Sequence, residues 1–169
     1  MTSESNDLLE VKEIFFAAMW SGWASGNDGT PIKAFRNWRQ TRTRHAFDRT
    51  FIAVDRWGMD MEANKPTGST LITHGGVPVW VMWYGGDSYN KDVLRFLREA
   101  LMENYRNKVF CVGRGPAEYR KDNLLYTNEC KGDFMRFSGH EYIEYLRDNG
   151  EKQNAGSHRY WGGSLFYLA

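Results

Sequence analysis

Arg114 stands in the triplet Arg114-Gly115-Pro116, which cannot continue a helix. A rigid loop presenting one arginine suits a phosphate or carboxylate, because the planar guanidinium offers paired N–H donors. Glu141 follows Gly139 and His140 at a strand start, where it can pair with Arg114. The two residues then read either as an anion site with an orienting acid or as a structural ion pair.

The segment from Lys33 to Arg49 supplies the second candidate. Lys33, Arg36, Arg39, Arg42, Arg44 and Arg49 stand there against one acid, Asp48, with Phe35 and Trp38 interleaved. Cations beside stacking rings suit a nucleotide or single-stranded nucleic acid. Equally, Arg42 and Arg44 alternate with Thr41, Thr43 and His45 as a solvated strand face would. Tyr84-Gly85-Gly86 and Trp161-Gly162-Gly163 form the third candidate. Glycine permits close approach of a ligand or of another backbone, so each pair reads as a pocket floor beside a ring or as a strand bulge.

Much chemistry is missing. His45, His74, His140 and His158 show no metal-ligand spacing. There is no G-x-S-x-G, no Walker loop, no G-x-G-x-x-G and no His-x-Thr pair. Cys111 and Cys130 are too few and too far apart for a thiolate metal site or a redox pair, and read as reduced and buried. Acid–base work by Glu141 with His140 or Asp133 requires folding to gather them.

The elements that must carry these residues follow from periodicity. Leu8, Val11, Phe15 and Met19 share a helical face behind a capping box at Asp7 and Glu10, and Gly22 and Gly26 end that helix. Thr41–Val54 suits strands, residues 57–68 read as a loop or broken hairpin, and Ser69–Thr73 is a short strand. His74-Gly75-Gly76 signals a hairpin into Val77–Tyr84. Asn90 caps a second helix whose stripe is Val93, Phe96, Leu97, Ala100, Leu101 and Tyr105. Leu124–Cys130, Phe134–Phe137 and Tyr142–Leu146 read as strands, residues 151–156 as a polar loop, and Ser157–Leu168 as the last strand.

The order of helix, strands and aromatic-Gly-Gly occurs twice. Phe15 to Met19 lies 81 positions before Phe96 to Ala100, and Tyr84-Gly85-Gly86 lies 77 before Trp161-Gly162-Gly163. This predicts an α+β fold of two diverged helix-plus-antiparallel-strand repeats, residues 1–88 and 89–169, packed into one domain with a cleft between them.

Length and charge set the bounds. The 169 residues suffice for a core without staples. A net charge of +1 supplies no overall field toward nucleic acid or membrane. Seven Trp, nine Tyr and ten Phe supply rings for a core or a pocket wall. With no signal peptide and no membrane-length apolar run, the expected compartment is the cytoplasm.

Phe96-Leu97-Arg98-Glu99-Ala100-Leu101, Arg114-Gly115-Pro116, Tyr126-Thr127-Asn128, Gly132-Asp133-Phe134, Phe137 to Ile143 and Tyr160-Trp161-Gly162-Gly163 together resemble the uncharacterised bacterial family catalogued as domain of unknown function 5680. Val77 to Gly85 resembles that family's first-half strand, and the likeness spans roughly residues 45–165. The resemblance implies the fold and an internal repeat, with a Phe-x-Gly-x-Glu element in each half. Here the first-half counterpart is Gly68-Ser69-Thr70-Leu71-Ile72, without the glutamate. Some members accompany helix-turn-helix regulators, which implies a sensing role, and the family brings no settled activity.

The expectation is therefore a non-catalytic module that senses or sequesters a small anionic, nucleotide-like molecule, with no cofactor. Arg114 with Arg42 or Arg44 would neutralise charge, Trp80, Tyr84 and Trp161 would stack on the ligand or wall the pocket, and Glu141 would accept a hydroxyl or amine, or orient Arg114. The alternatives are a hydrolase built on Glu141 and a protein-binding module presenting Trp20, Trp23 and Trp38. A homodimer is compatible with the sequence, a membrane partner is not expected, and nucleic acid is the less favoured partner.

Overall fold

The computed structural model describes residues 6–60, 65–87, 90–110 and 114–165. Helix α1 spans Asn6–Ser21 and is followed by a single 3-10 turn, Trp23–Ser25. Asp7 lies inside α1, so the helix start falls earlier than the expected cap. Gly26 closes the turn at φ 91°, in the left-handed region that glycine tolerates. Strands β1 (Thr30–Pro31), β2 (Trp38–Arg44), β3 (Phe51–Asp60), β4 (Lys65–His74) and β5 (Val77–Asp87) come next. Helix α2 (Lys91–Asn107) is capped by Asn90, whose side chain accepts from the Val93 N–H at 2.9 Å. Strands β6 (Glu118–Lys121), β7 (Leu124–Asp133), β8 (Arg136–Leu146) and β9 (Lys152–Ser164) complete the chain.

The nine strands of the described residues form one antiparallel sheet in the order β1-β2-β3-β4-β5-β9-β8-β7-β6. The fold is α+β and strand-dominated. Each helix is followed by a meander, and the last strands of the two meanders, β5 and β9, pair along the middle of the sheet. Both helices cover one face. From α1, Val11, Ile14, Phe15 and Ala18 are buried, and from α2, Val93, Leu97, Ala100 and Leu101. Trp80 is fully buried beneath them, stacks on Phe134 and donates its indole N–H to the Phe134 carbonyl at 3.0 Å. No helix among the described residues is long and apolar enough to cross a membrane.

Two expectations change. Residues 57–60 and 65–68, read as a loop or a broken hairpin, are paired in the long β3–β4 hairpin, and residues 152–156, read as a polar loop, belong to β9, whose first residues are polar because they are exposed. Glycine in a run usually weakens a strand. Here the glycines make room for rings. A Cβ at Gly58 would lie 2.7 Å from the Trp38 indole, and one at Gly68 would collide with the Tyr84 phenol. Gly86 and Gly162 are likewise held inside strands, against the backbones of Ser157 and Val81.

Candidate functional site

Strand alternation decides which side chains reach the covered face. On β3, Phe51, Ala53 and Asp55 point inward, so Asp55 is carried into the core by its apolar neighbours in phase. Across the sheet Asp55 faces Thr70 and then Met82, while Trp57 faces Gly68 and then Tyr84. On the other side, Asn128 faces Glu141 and then His158, while Cys130 faces Gly139 and then Tyr160. The inward residues of both meanders thus converge under the helices.

Two hydroxyls hold Asp55 through Oδ1: Thr70 donates at 2.8 Å and Tyr84 at 3.1 Å. Burial raises its pKa to about 6, and those hydrogen bonds oppose the rise. In the second meander Tyr160 donates to Asn128 at 2.6 Å, and Asn128 donates to the Gly115 carbonyl at 3.0 Å. That last bond fixes the loop behind Arg114. Gly115 itself lets the Tyr126 hydroxyl approach where a Cβ would collide with it.

Arg114 is buried at 5 % exposure. Its Nε lies 3.5 Å from Glu141 Oε1, its guanidinium lies 4.5 Å above the Tyr84 ring, and Tyr105 is a further hydrogen-bond partner. Burial works against the charge, but Glu141 and the surrounding tyrosines outweigh it and hold the guanidinium protonated. Glu141 accepts from Tyr126 at 2.7 Å through Oε2, and burial raises its pKa against Arg114 and Tyr126. His158 Nδ1 stands 3.6 Å from Glu141 Oε1. Burial, with Arg114 behind it, pushes the His158 pKa well below the ordinary value, so the ring is neutral. Among the described residues Arg114 Nη1 has no hydrogen-bond partner, nor has Glu141 Oε1.

These groups close one end of a cavity of about 250 Å³. Asp55, Tyr84, Arg114 and His158 supply its polar end, and Met19, Trp23, Met82, Leu94, Leu101 and Tyr105 its body. Asn37 and Arg39, at the start of β2, and Met59 and Pro66, from the β3–β4 hairpin, also line it. Among the described residues no cluster of three His, Cys, Asp or Glu is placed to hold a metal.

The residues singled out from sequence divide between the two faces. Arg114, Glu141 and Tyr84 come together, and Trp80 packs in the adjoining core. Trp161, 56 % exposed, lies on the opposite face, because the inward residue of β9 at this level is Tyr160. Arg42 and Arg44 face out as well, since their neighbours Thr41 and Thr43 pair with the inward Asp55 and Ala53. One cleft walled by Tyr84 and Trp161 together is therefore not formed. Glu141, His140 and Asp133 do not converge either. His140 bonds Tyr142 on the outer face, and Asp133 accepts from the N–H groups of Met135 and Arg136 in a turn. Of the three tryptophans proposed for a protein-binding patch, Trp20 is half exposed, Trp23 lines the cavity and Trp38 lies over Gly58. Cys130 is partly buried on β7, and Cys111 lies outside the described residues.

Sequence reasoning missed Asp55, His158 and Tyr105 as site residues. Asp55 was detectable as an acid in phase with Phe51 and Ala53. His158 had a weaker signal, two positions before the inward Tyr160.

Comparison with curated proteins and with solved structures yields no match. Residues 61–165, well over half of the chain, match the sequence profile described as Domain of unknown function (DUF5680). This stretch contains Arg114, Glu141, Tyr84 and His158, and the chain is a member of the DUF5680 family.

Proposed function

We propose that this protein is a binding module that senses or sequesters a small organic anion, taken into the cavity with its acidic group on Arg114 and its apolar body against Met19, Met82 and Leu101. The observation that carries this reading is a buried guanidinium at the polar end of a cavity whose body is apolar, with Nη1 unpartnered among the described residues. An orphaned buried N–H costs about 1–3 kcal/mol, more on a charged group, and a carboxylate or phosphate oxygen removes that cost. At about 250 Å³ the cavity lies below the roughly 300–1,000 Å³ of typical ligand pockets. That size favours a compact acid over a whole nucleotide.

Calorimetric titration with a panel of small aliphatic and aromatic carboxylates and phosphate monoesters tests the proposal. Binding of at least one class is expected, weakened about tenfold or more in Leu101→Phe, which fills the body of the cavity while leaving the ion pair intact. Silence across the panel, together with native mass spectra free of any co-purifying molecule, would remove the reading.

The site's construction also favours duplication. Tyr84 over Gly68 donating to Asp55 has its counterpart in Tyr160 over Gly139 donating to Asn128. Thr70 then stands where Glu141 stands in the second half, so the two halves carry their acid on different strands. In this reading two diverged copies, residues 1–88 and 89–169, build one polar centre, and only the second half supplies the Arg114–Glu141 pair.

A further inference from the structure

The face of the sheet away from the helices carries a cross-strand row at one level. From β3 through β4, β5, β9 and β8 to β7 it reads Arg56, Ser69, Trp83, Trp161, Ser138, Lys131. The order is cation, serine, tryptophan, tryptophan, serine, cation. The two indoles, 48 % and 56 % exposed, sit side by side on paired strands, and the short serines leave them uncovered. At ~4.8 Å per strand the two cations stand roughly 24 Å apart at Cα. One level along, Arg42 and Arg136 repeat the arrangement across Val54, Leu71, Val81 and Gly163. A shallow open depression of about 700 Å³ runs beside the rings and is lined by both indoles, Lys131 and Arg136.

Of the acids on this face, Asp87 is paired with Lys65 at 3.4 Å and Glu144 with Lys152 at 2.9 Å, while Glu129 and Asp133 flank Lys131 along β7, outside the two indoles. Large rings flanked by arginine and lysine on an open sheet match one chemistry: unstacked bases on the ring faces and phosphates on the cations. A duplex hides its base faces and matches only the charges. A second copy of this chain would bring the same cations against Arg42, Arg56, Lys131 and Arg136, which electrostatics disfavours.

We propose that this outer face binds single-stranded nucleic acid, with two adjacent bases stacked on Trp83 and Trp161 and the backbone following the basic residues on either side. The surface is separate from the cavity, and neither proposal depends on the other.

Fluorescence anisotropy with labelled twelve-nucleotide oligouridylate, oligothymidylate and a duplex of equal length tests it at two salt concentrations. Binding of at least one single strand is expected, tighter than of the duplex and weaker at the higher salt. The uridylate and thymidylate arms tell RNA from DNA. Trp83→Ala with Trp161→Ala is expected to weaken binding about tenfold or more, and Arg56→Gln with Lys131→Gln to weaken it and flatten the salt dependence. All four side chains are surface-exposed, and unchanged circular dichroism shows that the variants fold. No binding of either strand, equal binding of the duplex, or full binding by the double alanine variant would overturn the proposal. So would sedimentation showing a dimer that the double alanine variant dissolves, which would assign the face to a second copy.

Discussion

Burial lifts the Asp55 carboxyl to about 6 while Thr70 and Tyr84 donate to it. The folded state therefore keeps a proton at pH values where the unfolded carboxyl, near 3.8, has lost it. Folding takes up that proton between about 4 and 6. The associated stability is fully present below 4, is lost as pH rises through 6, and is gone at neutrality. Two pK units correspond to about 3 kcal/mol as an order of magnitude. Asp55→Asn is expected to remove this dependence, leaving the variant more stable than the parent at pH 7 and matched to it near pH 4. Asn128, which accepts from Tyr160 in the second meander, shows that an amide suits such a place. Urea midpoints across pH check this, and parallel pH curves for the two proteins would count against it. Arg114 gives the opposite kind of prediction. Arg114→Gln strands the buried Glu141 and should cost about 3–5 kcal/mol, whereas Glu141→Gln added to it should recover part of that loss. A double variant no more stable than the single one would show that Glu141 carries no charge in the folded state.

Glycine placement within strands governs how the rings lie on the sheet. Gly68 and Gly139 sit under the phenols of Tyr84 and Tyr160, at the two places where a Cβ would overlap the ring. Gly68→Ala and Gly139→Ala should each destabilise by about 1–3 kcal/mol through displacement of the ring and of its bond to Asp55 or Asn128. Gly85 offers the contrast on β5, since the nearest side-chain atom to an added Cβ is the Thr67 hydroxyl at 3.3 Å. Gly85→Ala should cost less than either, since only the Thr67 hydroxyl has to give way, by a few tenths of an ångström. Thermal unfolding of the three variants distinguishes them, and a loss at Gly85 equal to that at Gly68 would contradict the argument. In α2, Asn90→Ala should cost about 1 kcal/mol by freeing the Val93 N–H.

The β5–β9 ladder joins two meanders whose helices share one apolar layer. Phe15 of α1 meets Phe134, which lies between β7 and β8, and Trp80 of β5 stacks on that same ring and on Phe137 of β8. Such shared contacts couple the two halves, so urea unfolding should be a single transition. Circular dichroism and tryptophan fluorescence should give the same midpoint. Two separated transitions would mean that residues 1–88 and 89–169 close their cores independently. Trp80→Ala should cost about 3–5 kcal/mol and lower the stability of both halves together.

The amphipathic stripes of both helices, the Asn90 cap and the hairpin at Gly75-Gly76 were legible in the residues, because each rests on local periodicity or on turn chemistry, whereas Arg114 and Glu141, far apart in the chain, could be named as partners only if folding brought them together. The resemblance over the second half pointed correctly to the family. Residues 57–68 were legible only as a loop or a broken hairpin, because Gly58 and Gly68, which ordinarily mark a break, are there to accept rings arriving from other strands. Period-two alternation says that Tyr160 and Trp161 face opposite ways, but it is silent on which of them looks inward. That choice belongs to strand register and to the helices covering one face, which are contacts between residues far apart in the chain. Tertiary structure therefore turned Tyr160 into the core and His158 to the cavity, and sent Trp161, Arg42 and Arg44 to the open face.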